Sequence, residues 1–371
     1  MRRSELSDAS RRTFLKSAGA AGIVGLAGCM GGGNGGNGGD GDGGGGEDTA
    51  SGGGSTAGES GGGSGGDGWT PDRNLTVIVP WGAGGGTDTM TRGIMQPAEE
   101  ILQERGVDIS IQVENITGAN GLNGARRVLN RPADGYTLFA STQAISPNIA
   151  LDNADFTLEE WAGVCRVQHD TSWIYSSGRD GVGHESLDSL LEKANGEGIQ
   201  LGAVGGVTGA AFLIQFAEAA GILEGTQIVP YQDAGRMRTD IISGEIDGGF
   251  GEIQEMQSAY EAGDVTLLLV GTEDPVDDFP DVVAAGERDW SATYGVSRGF
   301  NAKAGTPTEA LEYWEQLIEE AMESDSYQQL EQETLVYLRE GYLPRTEFMD
   351  VLEQNVQLFN EMEETYEQVR S

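Results

Sequence analysis

The chain has 371 residues with 22 Lys and Arg against 60 Asp and Glu, which gives a net charge of −38 at pH 7. A surface this acidic repels a phosphate backbone, so nucleic acid is excluded as a partner. The two cysteines, Cys29 and Cys165, and the two histidines, His169 and His184, show no metal-ligand spacing. No metal and no cofactor are therefore expected.

The first 28 residues predict an export signal. Arg11 and Arg12 precede a short apolar run that ends in Leu26-Ala27-Gly28-Cys29. About ten apolar residues are too few to span a bilayer, so we expect this segment to be cleaved. Paired arginines followed by such a lipobox are typical of exported lipoproteins, in which Cys29 carries the lipid. The sequence thus predicts export by the twin-arginine route and a lipid anchor, at the cell surface or in the periplasm.

Residues 29–68 predict a tether between the lipid and a folded domain. Beyond Met30, residues 31–68 are Gly, Asn, Asp, Ser, Glu, Thr and Ala, with nothing to bury. A flexible chain of this length reaches roughly 30 to 40 Å. The remaining chain, from Trp69 to Ser371, is long enough for two domains, and we expect it to be a monomer.

The charge of the mature chain is typical of a protein from a halophile. Without residues 1–28, 17 basic and 58 acidic residues remain, a net charge near −41, and Lys193 and Lys303 are the only lysines. Such a surface repels itself in dilute salt and is screened in molar salt. Binding of a cationic partner is the weaker interpretation because the acids are dispersed along the chain.

Short β-branched runs alternate with helical stretches along the folded part. Strands are expected at 75–80, 109–114 and 136–140, with helices at 87–105 and 121–131. A second set has strands at 200–204, 227–230 and 245–250 and helices at 210–220 and 235–243. A strand at 266–270 and helices at 307–324, 326–339 and 344–369 close the chain. This alternation predicts an α/β fold with mostly parallel sheets flanked by helices.

The glycine-rich turn after the first strand is the strongest candidate site. Trp81-Gly82-Ala83-Gly84-Gly85-Gly86-Thr87-Asp88 joins a buried strand to the start of a helix. Glycines allow the backbone N–H groups to turn inward, and the helix N-terminus adds a partial positive charge, so the turn suits an anion. It matches neither a Walker A loop nor a dinucleotide fingerprint. A tight turn without a ligand is the alternative.

The segment from Leu75 to Leu138 resembles the extracytoplasmic solute-binding proteins of tripartite tricarboxylate transporters, the Bug family. The resemblance is carried by Ile78-Val79-Pro80, by 84–88, by Glu114-Asn115 with Gly118-Ala119-Asn120-Gly121, and by Asp134-Gly135-Tyr136-Thr137-Leu138. Weaker collinear matches continue to Gly305-Thr306-Pro307. The resemblance covers essentially the whole of Trp69 to the C-terminus.

The resemblance implies a two-lobed periplasmic-binding-protein fold that closes on a tricarboxylate or dicarboxylate and delivers it to membrane permease subunits. Such a protein is not an enzyme. Lobe one is expected at 69–164 plus 273–371 and lobe two at 166–271. The chain is expected to cross between the lobes near 164–174 and 267–270.

By analogy with the family, two loops of each lobe should face the ligand. The residues implied by the resemblance are Trp81, Gly84, Gly85, Gly86, Thr87, Asp88, Ser141 and Thr142 from lobe one. Lobe two would contribute Gly206, Val207, Thr208, Gly209, Ala210, Tyr231, Gln232, Asp233 and Ala234. For Trp81, stacking on the cleft floor and packing in the core are equally open.

Departures from the family pattern leave the ligand open. Gln232-Asp233 stands where the family has a lysine-glycine pair, and Asp233 would repel a distal carboxylate unless Arg236 or Arg238 compensates. A ligand with a cationic end, such as an amino acid, is therefore an alternative to a tricarboxylate. A ligand-presenting accessory protein of a sensor kinase would share these features, and an enzyme would have only Asp88 as a candidate base.

Overall fold

The computed structural model describes residues 69–204 and 206–370. The export signal, Cys29 and the tether lie outside these residues. The strands are β1 (Leu75–Val79), β2 (Ile111–Asn115), β3 (Thr137–Thr142), β4 (Trp161–His169), β5 (Ser172–Ser177), β6 (Ile199–Val204), β7 (Thr226–Tyr231), β8 (Gly248–Glu252), β9 (Val265–Val270), β10 (Val283–Ala284), β11 (Ser297–Lys303) and β12 (Leu343–Pro344). The α-helices are α1 (Gly86–Glu104), α2 (Leu122–Leu129), α3 (Ile145–Ala150), α4 (Leu187–Gly196), α5 (Val207–Ala219), α6 (Ala234–Ser243), α7 (Ile253–Glu261), α8 (Thr308–Met322), α9 (Asp325–Thr334) and α10 (Arg345–Val369).

The first sheet has the strand order β12-β4-β11-β3-β1-β2. β1 pairs in parallel with β2 and β3, whereas β11 is antiparallel to β3 and β4. Side chains alternate between the two faces of a strand. Val77 and Val79 therefore pack with α1 and α8 on one face, while Ile78 packs with α2 and the first turns of α10 on the other.

The second sheet has the order β10-β9-β5-β8-β6-β7. β6 is parallel to β7 and β8, and β5 is antiparallel to β8 and β9. α5 contributes Phe212, Leu213 and Phe216, all fully buried, to the core on one face of this sheet. α6 and α7 cover the other face with Met237, Ile241 and Met256. The prediction of sheets flanked by helices is confirmed.

Strand pairing places the first crossing between the sheets within the expected region 164–174, and the second crossing later than the expected 267–270. β4 continues in register with β11 as far as His169, so residues 166–169 belong to the first sheet. β10 pairs with β9, so residues 283–284 belong to the second sheet although they were expected in lobe one. The chain thus passes from one sheet to the other at residues 170–171 and again between β10 and β11.

The C-terminal helix α10 connects both halves of the domain. Phe348 and Leu352 lie in the core of the first sheet, whereas Phe359, Met362 and Tyr366 lie in the core of the second. Arg370 then forms a parallel bridge with Ile228 on the edge strand β7. The end of the chain, expected in lobe one, therefore packs on the second sheet, because the apolar stripe of α10 extends past the first.

The elements expected from the sequence are present, with ends displaced by a few residues. α9 stops at Thr334 rather than 339 because Leu335 takes a left-handed conformation with φ 59°. α3, α4, α7, β10, β11 and β12 were not expected, and β4 and β5 were expected only as a crossing near 164–174. Cys165 is fully buried in the core of the first sheet. In residues 69–204 and 206–370, no helix is long and apolar enough to cross a membrane.

Candidate functional site

The glycine-rich turn lies at the carboxyl end of β1 and is exposed from Gly82 to Gly86. Gly84 has φ +80°, a conformation that glycine adopts without strain. Gly85 caps α1 without any side-chain hydrogen bond. The first N–H groups of a helix have no partner within the helix, so this end is free to bind an acceptor from outside.

Asp88 holds the turn in shape. Its carboxylate accepts hydrogen bonds from Gly84 N (2.8 Å), Arg92 Nε (3.0 Å) and Asn115 Nδ2 (2.8 Å), and Asn115 Nδ2 also donates to Trp81 O (3.0 Å). Burial alone would raise the pKa of Asp88, but the bonds from Arg92, Gly84 and Asn115 lower it. The side chain is 4% exposed and fully engaged, so it is unsuited to serve as a base.

The other lobe-one residues lie beside this turn. Trp81 is half-buried and shares a small recess with Thr142 and Asn120. Thr142 Oγ1 accepts from Ala144 N at 3.3 Å. Ser141 is fully buried, and its Oγ has no hydrogen-bond partner among the described residues. Trp81, Ser141 and Thr142 thus lie at the carboxyl ends of the neighbouring strands β1 and β3, where α/β proteins bind ligands.

In the second sheet the candidate residues follow the neighbouring strands β6 and β7. Gly206 caps α5 with φ 64°, and Thr208 is half-buried. Val207 and Ala210 lie in the hydrophobic core, so only their backbone could meet a ligand. A Cβ on Gly209 would lie 1.6 Å from Val204 O. Gly209 therefore permits close packing of α5 on β6.

The turn after β7 is organised by Asp233, which caps α6. Its Oδ1 accepts from Arg236 N at 2.7 Å, so the bond comes from the backbone of Arg236 rather than from its guanidinium. The guanidinium of Arg236 is 69% exposed and pairs with Asp240 at 3.0 Å. Tyr231 also donates to Asp240, at 3.0 Å. Gln232 and Asp233 are exposed, Ala234 and Arg238 are half-buried, and Arg236 does not neutralise Asp233.

A buried charged cluster connects the two sheets at this edge. Arg298 on β11 donates from Nη1 to Asp170 Oδ2 (2.9 Å) and from Nη2 to Glu252 Oε2 (2.7 Å). Gln254 Nε2 donates to both acids, at 2.8 and 2.7 Å. We call these four residues the cleft cluster. Asp170 lies at the crossing between the sheets, and Glu252 ends β8.

The cleft cluster shows that the two carboxyl edges face each other. Arg298 is in register with Thr142, at the end of β3. Glu252 ends β8, which is paired with β6. A Cβ on Gly86 would lie 2.8 Å from Arg298 Nη2, so the guanidinium also touches the first residue of α1. The glycine turn and the end of β8 are therefore separated by one guanidinium group.

When both acids are ionised, the cleft cluster holds one more negative than positive charge. Arg298 is 5% exposed and Asp170 is fully buried, so solvent screens neither. Burial and the nearby charge of Glu252 raise the pKa of Asp170 to about 7, although Arg298 acts in the other direction. Both acids raise the pKa of Arg298, so the guanidinium stays charged despite its burial.

Sequence reasoning did not find the cleft cluster. Asp170 and Arg298 are 128 residues apart, and no local pattern connects them. The sequence offered one sign of the cleft cluster. Arg298 is a charged residue within a segment that forms a buried strand, and a buried charge requires a partner. Among residues 69–204 and 206–370, no group of three or more His, Cys, Asp or Glu could hold a metal ion.

Comparison with known proteins identifies the family. A profile described as "Tripartite tricarboxylate transporter family receptor" matches residues 96–337. The chain belongs to this receptor family. A UPF0065 protein from the TAR-I ttuE-ttuC' intergenic region of Agrobacterium vitis is 29% identical over 230 residues, 58% of this chain and 62% of that protein. Protein BugT of Bordetella pertussis is 24% identical over 226 residues, 58% of this chain and 66% of BugT. This receptor chain thus matches less than two thirds of the length of these relatives.

Several solved structures have the same fold. A TctC solute-binding protein from Polaromonas has a TM-score of 0.67 and 19% identity, over 79% of this chain and 98% of that one. MatC from Rhodopseudomonas palustris with bound malate has a TM-score of 0.61 and 19% identity, over 79% and 99%. A second R. palustris protein, with adipate, has a TM-score of 0.62 and 20% identity, over 81% and 99%. This receptor therefore has the two-lobed periplasmic-binding-protein fold.

Proposed function

We propose that this receptor captures a small carboxylate between its lobes and delivers it to the membrane subunits of a tripartite tricarboxylate-type transporter. The observation that carries the proposal is the exposed glycine turn at the N-terminus of α1, where Gly85 caps the helix without a side-chain hydrogen bond and Asp88 holds the turn in place. Such a helix end binds a carboxylate through its backbone N–H groups. The structural neighbours with malate and adipate bind ligands of this class.

The residues proposed to contact the ligand follow from the two facing edges. Gly84, Gly85, Gly86 and Thr87 would hold one carboxylate, with Thr142 beside them. From the second lobe, Gly206, Thr208 and Tyr231 to Ala234 are proposed to close over the other end. We propose lobes near the limits expected from the sequence, adjusted to the crossings at 170–171 and before β11. The receptor would act by closure and release, without catalysis.

The proposed location rests on the sequence of the N-terminal segment. Arg11-Arg12 and the lipobox ending at Cys29 support twin-arginine export and a lipid anchor, with residues 29–68 as the tether. The excess of acids over bases supports a working environment of concentrated salt. Cys29→Ser should release the protein from the membrane or block its maturation. Membrane fractionation of both forms tests this, and unchanged partitioning would contradict it.

A binding screen tests the proposed function directly. The full chain, purified in molar potassium chloride, is titrated with malate, succinate, adipate, citrate and aspartate while its unfolding temperature is measured. A carboxylate at 100 times its dissociation constant adds about 2.7 kcal/mol to the free energy of unfolding. We expect at least one of these acids to raise the unfolding temperature by several degrees. No shift with any acid, and none in calorimetric titrations, would contradict carboxylate capture.

A further inference from the structure

We propose that Glu252 determines ligand choice by binding a protonated amino group on the captured carboxylate, while Arg298 and Asp170 hold Glu252 in position. This inference rests on the proposed capture of a carboxylate and narrows its class to amino acids. It is carried by the charge balance, the hydrogen-bonding groups and the location of the cleft cluster.

The charge balance favours a cation. Two carboxylates, Asp170 and Glu252, share one guanidinium, that of Arg298. Glu255 interacts with both Glu252 and Arg238, and these two neighbours add one charge of each sign. Burial and the charge of Glu252 raise the pKa of Asp170, so the ionised form of Asp170 is less stable in the cleft cluster than in water. A ligand ammonium group would supply the positive charge that is missing when Asp170 is ionised, whereas a second ligand carboxylate would increase the imbalance.

The unpaired polar atoms around the cleft cluster call for both an acceptor and a donor. Arg298 Nε, a buried donor, and Gln254 Oε1, a buried acceptor, have no partner among the described residues. Ser172, fully buried and directly opposite Glu252 in the β5–β8 register, has an unpartnered Oγ as well. Buried polar groups in native proteins nearly always have partners. A molecule with a carboxylate and an ammonium group matches both kinds of atom.

Glu252 is the acid best placed to meet a ligand. Its side chain is 13% exposed, whereas that of Asp170 is fully buried. Asp88, the other acid near the glycine turn, is already engaged by Arg92, Asn115 and Gly84. Arg298 Nη2 lies 2.7 Å from Glu252 and 2.8 Å from the position of a Cβ on Gly86. A compact amino acid could therefore place its carboxylate at the turn and its ammonium group at Glu252.

Matched ligand pairs test the proposal on the full chain. Calorimetry compares L-aspartate with succinate, L-glutamate with glutarate, and L-alanine with propionate, each pair differing in the amino group. For the wild-type protein we expect the amine-bearing member of at least one pair to bind more than about tenfold tighter. In Glu252→Gln this preference should fall by roughly ten- to one-hundredfold, because a charge-assisted bond is lost while the contact with Arg298 remains possible.

Two further variants serve as controls. Glu261→Gln makes the same change of charge at the exposed far end of α7 and should leave the preference intact. Glu252→Asp keeps the charge on a shorter side chain and should retain most of the preference. It is the variant to measure if Glu252→Gln fails to fold. Equal or tighter binding of succinate, glutarate and propionate by the wild-type protein would overturn the inference but leave carboxylate capture standing. An unchanged preference in Glu252→Gln would also overturn it. Binding of no acid at all would instead refute the proposed function, and this inference with it.

Discussion

The half-buried Asp247 and the fully buried Asp170 lie at opposite ends of the strands of the second sheet and differ in how their charge is met. Asp247, just before β8, accepts bonds from Gln200 N (2.8 Å) and His184 Nε2 (3.3 Å) and pairs with Lys193. Asp170, at the carboxyl edge, shares Arg298 with a second carboxylate. Although burial acts to raise it, the bonds from His184, Lys193 and Gln200 lower the pKa of Asp247 to about 2. Burial and Glu252 raise that of Asp170 to about 7.

The difference separates an acid whose charge is met by its neighbours in the fold from one that shares its cation with a second carboxylate. The hydrogen-bonding and charge requirements of Asp247 are met within the second lobe. Its bond from Gln200 N connects the start of β8 to the start of β6. In the cleft cluster, the excess carboxylate and the unpartnered Arg298 Nε lie between the lobes. Strongly shifted pKa values occur in structural ion pairs as well as at functional sites. The direction of the shift, together with the location, distinguishes the two acids here.

Removing the guanidinium should have the largest effect on stability. Arg298→Met leaves Asp170 and Glu252 buried without a cation, and breaking a buried ion pair in this way costs about 3–5 kcal/mol. Denaturant unfolding at fixed salt measures the change. The matched control is Arg236→Met, which removes an exposed i,i+4 pair and should cost less than about 1 kcal/mol. Equal effects of the two variants would show that the cleft cluster is no more than a surface ion pair.

The two acids should also give opposite pH dependences. From about pH 4 to about pH 7 the unfolded chain has released the proton of Asp170 while the folded chain retains it, so the free energy of unfolding falls as pH rises. For Asp247 the stabilisation is present above about pH 4 and is lost as pH falls towards about 2. At about 1.4 kcal/mol per pKa unit, the contribution is on the order of 4 kcal/mol for Asp170 and on the order of 2 kcal/mol for Asp247.

Unfolding curves across pH for Asp170→Asn and Asp247→Asn check these signs. Asp170→Asn should flatten the decline between pH 4 and 7, and Asp247→Asn should reduce the loss below pH 4. If both variants alter the same pH range in the same direction, the contrast between the acids is wrong.

A smaller effect is expected at the glycine turn. Asp88→Asn keeps one acceptor oxygen but loses the charge that Arg92 meets and places an amide near donors, so stability should fall by about 1–2 kcal/mol. Carboxylate affinity should fall as well, because Gly84 loses its anchor. Denaturant unfolding and calorimetry measure the two effects. Unchanged stability would mean that Asp88 does not hold the turn.

Local patterns predicted much of the fold and part of the candidate site. Strands such as β1 and β6 are short apolar runs bounded by glycine or polar turns, and the loops after them can be identified from the chain alone. The cleft cluster could not be found in this way, because Asp170, Glu252 and Arg298 meet only through the crossings between the sheets. The role of Asp88 was underestimated for the same reason: Asn115 reaches it from the next strand.

The central claim is that the N-terminus of α1 holds a carboxylate at Gly86. A valine at this position adds bulk to the exposed first turn, and its Cβ would lie 2.8 Å from Arg298 Nη2. Gly82→Val is the matched control in the same turn, because a Cβ there meets nothing within 4 Å. Both variants are titrated calorimetrically with the tightest-binding acid of the screen, after circular dichroism has shown that they are folded. We predict no measurable binding by Gly86→Val and an affinity within about tenfold of wild type for Gly82→Val. Wild-type affinity in folded Gly86→Val would contradict the account.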